Sequence, residues 1–216
     1  MDNLKILFED NHIIVAIKPV NVLSQADYTK DVDMLTLIKQ YIKEKYNKPG
    51  NVYLGLVHRL DRMTSGIMVF AKTSKAASRL NEQIKNNEFE KRYYCIVEGL
   101  LNKKGTLENY LYKDEKLVKS FVTNDKTKGK LAKLEYEAQI VGKNESLVDV
   151  LLITGRHHQI RVQFSNIGHP LKGDTLYGSS FKEDFMLHAY SLSFNHPVTK
   201  ERLTFVEKPN WYKEAL

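Results

Sequence analysis

Apolar residues recur along this chain mostly in short strand-like runs, with helical spacing in three places. Met34, Leu35, Ile38, Tyr41, Ile42 and Tyr46 fall on one helix face, with Asp31 or Asp33 available as N-cap. A second helix is expected after Thr73 or Ser74. There Ala76, Ala77, Leu80 and Ile84 line one side, and Lys75, Arg79, Glu82 and Lys85 occupy the rest. Both stripes are read as core packing. Residues 52–57 and 67–71 are β-rich apolar runs, and 93–97, 134–140 and 147–153 read as further strands. Within 134–140, Leu134, Tyr136, Ala138 and Ile140 alternate toward one face. Ile160, Phe164 and Ile167 then recur helically until Gly168, a C′ residue, and Leu203 and Phe205 close the chain in a strand after the turn at Pro197. Repeats, linkers and low-complexity tracts are absent. The pattern predicts an α+β fold.

At 216 residues the chain suits one large domain or two intimately packed lobes, and it is read as a single domain over 1–216. The formal net charge of +7 favours a polyanionic partner without identifying one. Cys95 is the single cysteine and can form no intramolecular disulfide. The sequence opens with no signal-like segment and holds no apolar run of membrane-spanning length, so the cytoplasm is the expected location and a monomer the expected state. The densest basic stretch is 113–133, with Lys113, Lys116, Lys119, Lys126, Lys128, Lys130 and Lys133, and with Gly129 marking a loop or hairpin tip. The seven histidines lack the short ligand spacings of zinc sites, and His157 and His158 would diverge on a helix. No metal and no organic cofactor are expected.

The most informative stretch is His58-Arg59-Leu60-Asp61-Arg62-Met63-Thr64-Ser65-Gly66. It sets one carboxylate between two arginines, at a turn between two apolar segments. Thr64-Ser65-Gly66 is turn chemistry, so Asp61 is expected on a loop held by two strands. Cationic neighbours favour the charged carboxylate, which suits a nucleophile better than a general acid. Taken alone, this arrangement reads as a structural Arg–Asp pair.

The string H-R-L-D-x-x-T-S-G resembles the signature of RluA-type RNA pseudouridine synthases, and other stretches extend the resemblance in the same order. Residues 6–19, ending in Lys18-Pro19, resemble that family's opening strand and Lys-Pro element. Residues 91–99 resemble its K-x-Y-x-A-x-V-x-G strand. Residues 154–162 with 167–174 and Tyr177-Gly178 resemble its G-R-T-H-Q-I-R-V-H…G-H-P-I-x-G-D…Y-G block. Leu187-His188-Ala189 and Phe194-Asn195-His196-Pro197 resemble its late L-H-A…F-x-H-P element. The chain departs from the usual pattern at three positions. Asn21 stands where many members have glycine, His157 replaces Thr or Ser, and Gln163 replaces His. Asparagine tolerates positive φ, so the first change need not disturb a turn.

The resemblance implies a mixed, largely antiparallel sheet bent around a central cleft, with flanking helices. It also implies isomerisation of uridine to pseudouridine in rRNA or tRNA stem-loops without a cofactor. Asp61 occupies the nucleophile's position. Tyr93 matches the tyrosine that stacks on uracil, and Arg161 the arginine that pairs with the catalytic carboxylate. Arg59 matches an arginine that fills the space left by a flipped nucleotide. His58 and Arg62 beside it, with Lys126, Lys128 and Lys130, complete the expected RNA-contacting set. His58, His169 and His188 are expected to hydrogen-bond turns. The S4-type RNA-binding module of many relatives is not expected, since the catalytic pattern starts within the first ten residues. Two rivals differ in kind. A glycoside hydrolase would normally need two paired carboxylates. A non-catalytic RNA-binding or ribosome-assembly factor could dispense with Asp61.

Overall fold

The computed structural model describes residues 4–101, 103–141, 143–182 and 184–213. In chain order the first elements are β1 (Ile6–Glu9), β2 (Ile13–Lys18), α1 (Met34–Lys45), β3 (Gly55–Leu56), β4 (Ser65–Ala71) and α2 (Ser74–Lys85). Then come β5 (Glu90–Glu98), β6 (Lys104–Asp114), β7 (Lys119–Thr123), β8 (Lys130–Val141) and β9 (Glu145–Leu152). The chain closes with α3 (Gln159–Asn166), β10 (Leu187–Asn195) and β11 (Arg202–Val206). Every strand pair with a described register is antiparallel. The α+β expectation holds.

The chain divides into two compact units. The first comprises residues 1–89 and 191–207. Its strands run β1-β2-β4-β10, with β3 on β4 and β11 on β10. Ile13, Val15, Ile67, Val69, Leu192 and Phe194 project from these strands onto Ala76 and Leu80 of α2. Both helices begin where the pattern predicts. Asp33 accepts from the Thr36 backbone N–H, and Thr73 from that of Ala76. Gln83 is buried on α2 despite its polarity, because its amide makes both possible bonds to the backbone of Asn195, each 2.8 Å long. The apolar run 52–57 forms only the two-residue β3. Its remaining residues lie outside any regular pairing.

The second unit comprises residues 90–190 and 208–213 of those described. Its order is β10-β5-β9-β8-β6-β7, which leaves β7 at an edge. Helix α3 packs against β6 and β7. Val162 on α3 joins Leu111, Ala132 and Tyr177 in one cluster. The lysine-rich stretch is mostly strand: two short turns, 115–118 and 124–129, join β6, β7 and β8. Because β6 lies between β7 and β8, the second turn must cross over it. Gly129 permits that crossing, since a Cβ there would stand 2.8 Å from the Cβ of Tyr110. Ile140, expected inward with Leu134 and Ala138, is instead 57% exposed, near the end of β8.

Glu9 at the end of β1 ties together much of the first unit. Its carboxylate accepts from Lys45 and Lys72 at 2.7 Å each, and from the hydroxyls of Tyr46 and Tyr41 at 3.0 and 3.1 Å. Burial alone would raise its pKa, but the bonds from Lys45, Lys72 and Tyr46 outweigh burial and hold it at about 2. A carboxylate lowered from 4.5 in this way stabilises the fold fully above the unfolded value, and the contribution fades as pH falls toward 2. Glu9→Gln should therefore lower the melting temperature at pH 7. The gap to wild type should narrow between about pH 5 and pH 2, as read by thermal melts across that range.

Candidate active site

Asp61 lies on a loop whose backbone is pinned at three consecutive residues. The Leu60 N–H donates to Ser24 Oγ at 3.0 Å, and that hydroxyl donates back to the Leu60 carbonyl at 2.8 Å. The Asp61 carbonyl accepts from the Thr64 N–H at 3.0 Å, closing a turn. The Arg62 carbonyl accepts from the Asn21 N–H and from Lys18 Nζ, both at 3.0 Å. Lys18 is fully buried, and its ammonium also donates to the carbonyls of Pro19 and Val22 at 2.9 and 2.6 Å. Opposite Lys18, Gly66, the second residue of β4, has φ +130°, a conformation that an L-residue would resist. Asn21 has φ +65°, so it adopts the left-handed turn expected of it. One turn therefore holds the other through main-chain atoms on either side of Asp61.

Burial lowers the pKa of Lys18 to about 8, with the charge of Asp61 opposing the shift and that of Arg62 adding to it. Its three hydrogen bonds hold the Lys18 ammonium in one position against the main chain of the Asp61 loop. Arg62 extends outward to Asp31 at 2.7 Å, and Arg59 is exposed. Nε2 of His58 accepts from the Val69 N–H at 3.0 Å and so ties the start of the loop to β4.

In the second unit, Tyr93 on β5 is buried, directly across from Val150. Tyr94 faces the other way, as strand alternation requires, and stacks on Tyr190 with centroids 3.9 Å apart. Lys91 stands two residues before Tyr93 on the same face, and burial lowers its pKa. Arg161 on α3 is also buried, and its Nε and Nη2 donate to the two oxygens of Asp174 at 2.6 and 2.8 Å. This fork-to-carboxylate geometry fixes the plane of the guanidinium. The stretch leading into α3 is stitched to β8: Gln159 Oε1 accepts from Thr154 Oγ1 and the Arg156 N–H, and its Nε2 donates to the Lys133 carbonyl.

The histidine pair departs from expectation. His157 and His158 precede the helix, with His158 at φ +53°, so their rings do not diverge but stack 3.7 Å apart. His157 Nδ1 meets Ser120 Oγ at 2.9 Å, and His158 Nδ1 meets the Tyr177 hydroxyl at 3.0 Å. Burial first, then the charges of Arg161, His157 and Lys113, lower the pKa of His158 to about 2, so its imidazole is neutral. His169 Nδ1 lies 2.8 Å from the Glu98 carbonyl, a backbone role like that of His58.

Lys126 and Lys128 lie on the turn that crosses β6, and Lys130 opens β8. Lys128 Nζ sits 3.9 Å from the Tyr112 ring centroid and Lys126 Nζ 5.7 Å from that of Tyr110. Among the described residues, no group of three His, Cys, Asp or Glu side chains is placed to hold a metal. No described helix is long and apolar enough to cross a membrane. The sequence alone gives no role to Lys18, Ser24, Lys91 or Asp174. Lys18 and Asp174 stand inside family-like motifs, and both are buried ionisable residues.

Residues 12–166 match the family described as RNA pseudouridylate synthase. A Zymomonas mobilis protein named ribosomal large subunit pseudouridine synthase D is 34% identical, over 94% of this chain and 68% of its own length. A Yersinia pestis protein named tRNA pseudouridine synthase C is 31% identical, over 95% of this chain and 86% of its own. Among solved structures, human RNA pseudouridylate synthase domain containing 4 superposes with a TM-score of 0.81 at 21% identity, over 98% of this chain and 91% of that one.

The Lys18 clamp has a stability signature. A lysine whose folded pKa is about 8 against 10.5 unfolded binds fewer protons in the native state between those values. The contribution of Lys18 to stability therefore rises with pH from about 8 to 10.5. Lys18→Met should remove that rise. At pH 7 it should also destabilise the protein by roughly 1–3 kcal/mol, because buried carbonyls lose their donor. Denaturant titrations of both proteins between about pH 7 and pH 10.5 measure the two effects.

Proposed function

Because the chain belongs to the RNA pseudouridylate synthase family and isomerises uridine in RNA, we infer that Asp61 is its nucleophile. The N-glycosidic bond to uracil N1 breaks, the base reorients, and C5 bonds to the same ribose carbon. Atoms and oxidation state balance within one nucleotide, so the reaction calls for no cofactor and no metal. A carboxylate that attacks and later leaves divides one difficult step into two easier ones. Tyr93 and Arg161 take the supporting roles that the family motif implies. Arg59 and Arg62 contact the RNA around the target, and Arg59 fills the stack from which the uridine is flipped.

One observation carries this reading. The loop of Asp61 is fixed by Lys18, Asn21 and Ser24 through the main chain of residues 60 and 62. A rigidly mounted carboxylate beside a buried ammonium is positioned for attack in a way that a surface ion pair is not. The relatives are named for large-subunit rRNA and for tRNA, so the substrate is taken to be a stem-loop of one of these. The protein is taken to work as a monomer in the cytoplasm. Mapping pseudouridine across total RNA with and without the protein would identify the site.

Asp61→Asn keeps the size and shape of the side chain but removes both charge and nucleophilicity. Conversion should vanish while RNA affinity stays within a few-fold. Conversion near wild type would refute the assignment of Asp61 as the nucleophile.

The lysine-rich turn should supply salt-sensitive affinity. Replacing Lys126 and Lys128 with glutamine should weaken RNA binding and flatten the slope of log affinity against log salt, by roughly 0.7 for each phosphate no longer neutralised. Turnover at saturating RNA should change little. An unaltered slope in binding titrations would return these lysines to a solvated surface.

A further inference from the structure

The β6–β7 hairpin has two faces with different chemistry. Leu111 and Val122 point to one side, where they meet Ala132, Val162 and Tyr177 in the core. Residues paired directly across a ladder share a face. Tyr112 and Phe121 are such a pair on the other side, with half-buried rings stacked at 5.5 Å and 24°. Tyr110, two residues before Tyr112, stands on that same side, so a row of three aromatic rings runs along the face that the core does not use. Over the row lie two ammonium groups, Lys128 over Tyr112 and Lys126 over Tyr110; Lys119 Nζ, 5.6 Å from the Phe121 centroid, is nearer to Tyr177 at 4.8 Å and donates to the Leu176 carbonyl at 2.6 Å. Rings and cations together on this face supply both chemistries that a single nucleic-acid strand requires, flat surfaces for bases and positive charge for phosphates.

We propose that Tyr110, Tyr112 and Phe121 form a stacking platform for unpaired nucleotides of the substrate RNA, with Lys126 and Lys128 passing from the rings to the flanking phosphates. The proposal rests on the RNA-modifying function above and adds a second point of recognition to it. In the free protein Lys126 and Lys128 each shield a ring. An exposed lysine–ring pairing is weaker than a base stacked on the same ring, so the exchange favours the bound state. A paired stem keeps its bases stacked on one another and offers no free π-face. The platform therefore selects loops and single-stranded flanks over duplex.

The test uses full-length protein and three dye-labelled probes read by fluorescence anisotropy: an oligouridylate, the same backbone with abasic residues, and a blunt RNA duplex. Wild type should bind the oligouridylate more tightly than its abasic counterpart. The double variant Tyr112→Leu/Phe121→Leu keeps an apolar cross-strand pair but removes both rings. It should weaken oligouridylate binding by roughly tenfold for each base that can no longer stack. The salt slope and the affinity for the abasic and duplex probes should stay unchanged. Tyr110→Leu, at the next position of the row, should give a smaller loss of the same kind. An equal loss for all three probes, or unchanged oligouridylate binding in both variants, would overturn the platform. The titration involves no turnover. A protein that stacks bases yet forms no pseudouridine would count against the reaction alone, whereas conversion with unaltered binding in the variants would count against the platform alone.

Discussion

The placement of Asp61 depends on a buried ammonium. Lys18 ends β2 with no exposed surface, and its three donors are taken by the carbonyls of residues 19, 22 and 62. Burying a lysine is costly unless its charge is fully hydrogen-bonded, and the drop of its pKa to about 8 reflects that cost. The arrangement persists because one side chain closes two turns at once. Arginine could not substitute easily, since its planar fork does not fit three carbonyls converging on a point. Methionine would fill the space but leave the acceptors unsatisfied. Ser24 performs a lighter version of the same task, donating to and accepting from the Leu60 backbone. The loop is thus held through its main chain on both sides of the carboxylate assigned the attack.

The second unit solves a similar problem with opposite charges. Arg161 is held by Asp174, both nearly buried, in a two-bond geometry that leaves the guanidinium little rotational freedom. Such a pair contributes less to stability than its geometry suggests, because both ions lose water. Its effect is orientation. The stacked imidazoles next to it extend the same logic: His157 reaches Ser120 on β7, and His158 reaches Tyr177. The departure from Thr or Ser at 157 thus brings a side chain long enough to tie the entrance of α3 to the edge strand. Gln163 is the less settled departure. Its Nε2 lies within bonding distance of Leu107 O, Asn109 Oδ1 and Ala132 O, but its buried Oε1 has no partner among the described residues. An unpaired buried carbonyl costs about 1–3 kcal/mol, so the bridge between β6 and β8 comes with a local penalty.

Much of this was legible in the sequence, and the parts that were not share a cause. Helices α1 and α2 followed from apolar spacing and from Asp33 and Thr73 as caps, because those signals are local. Gly168 at φ +81° after α3 was readable for the same reason. The run 52–57 looked like a strand because its residues suit one, yet only Gly55 and Leu56 find a partner, on β4. Pairing is a long-range property and leaves no mark in the run itself. Asp61, Tyr93 and Arg161 were identified by resemblance, and the geometry adds what holds each of them. Lys18 and Asp174 are not legible in this way, because a charged residue gives no local sign of being buried until its partners are known. Those partners lie 1, 4 and 44 residues away for Lys18, and 13 for Asp174.

The lysine-rich hairpin, proposed above to recognise RNA, takes its shape from the strand order. Lys126 and Lys128 lie over β6 because the β7–β8 connection must cross it, and Gly129 lets the backbone come close enough. The strand order therefore dictates that cations sit on Tyr110 and Tyr112, whatever they later bind. In the free protein these pairings cover aromatic surface that would otherwise invite association. They are also weak enough to be exchanged. A basic turn on flexible coil would have to be ordered by RNA at an entropic cost. Here the turn is already set against a strand, so the proposed platform would carry less of that ordering cost.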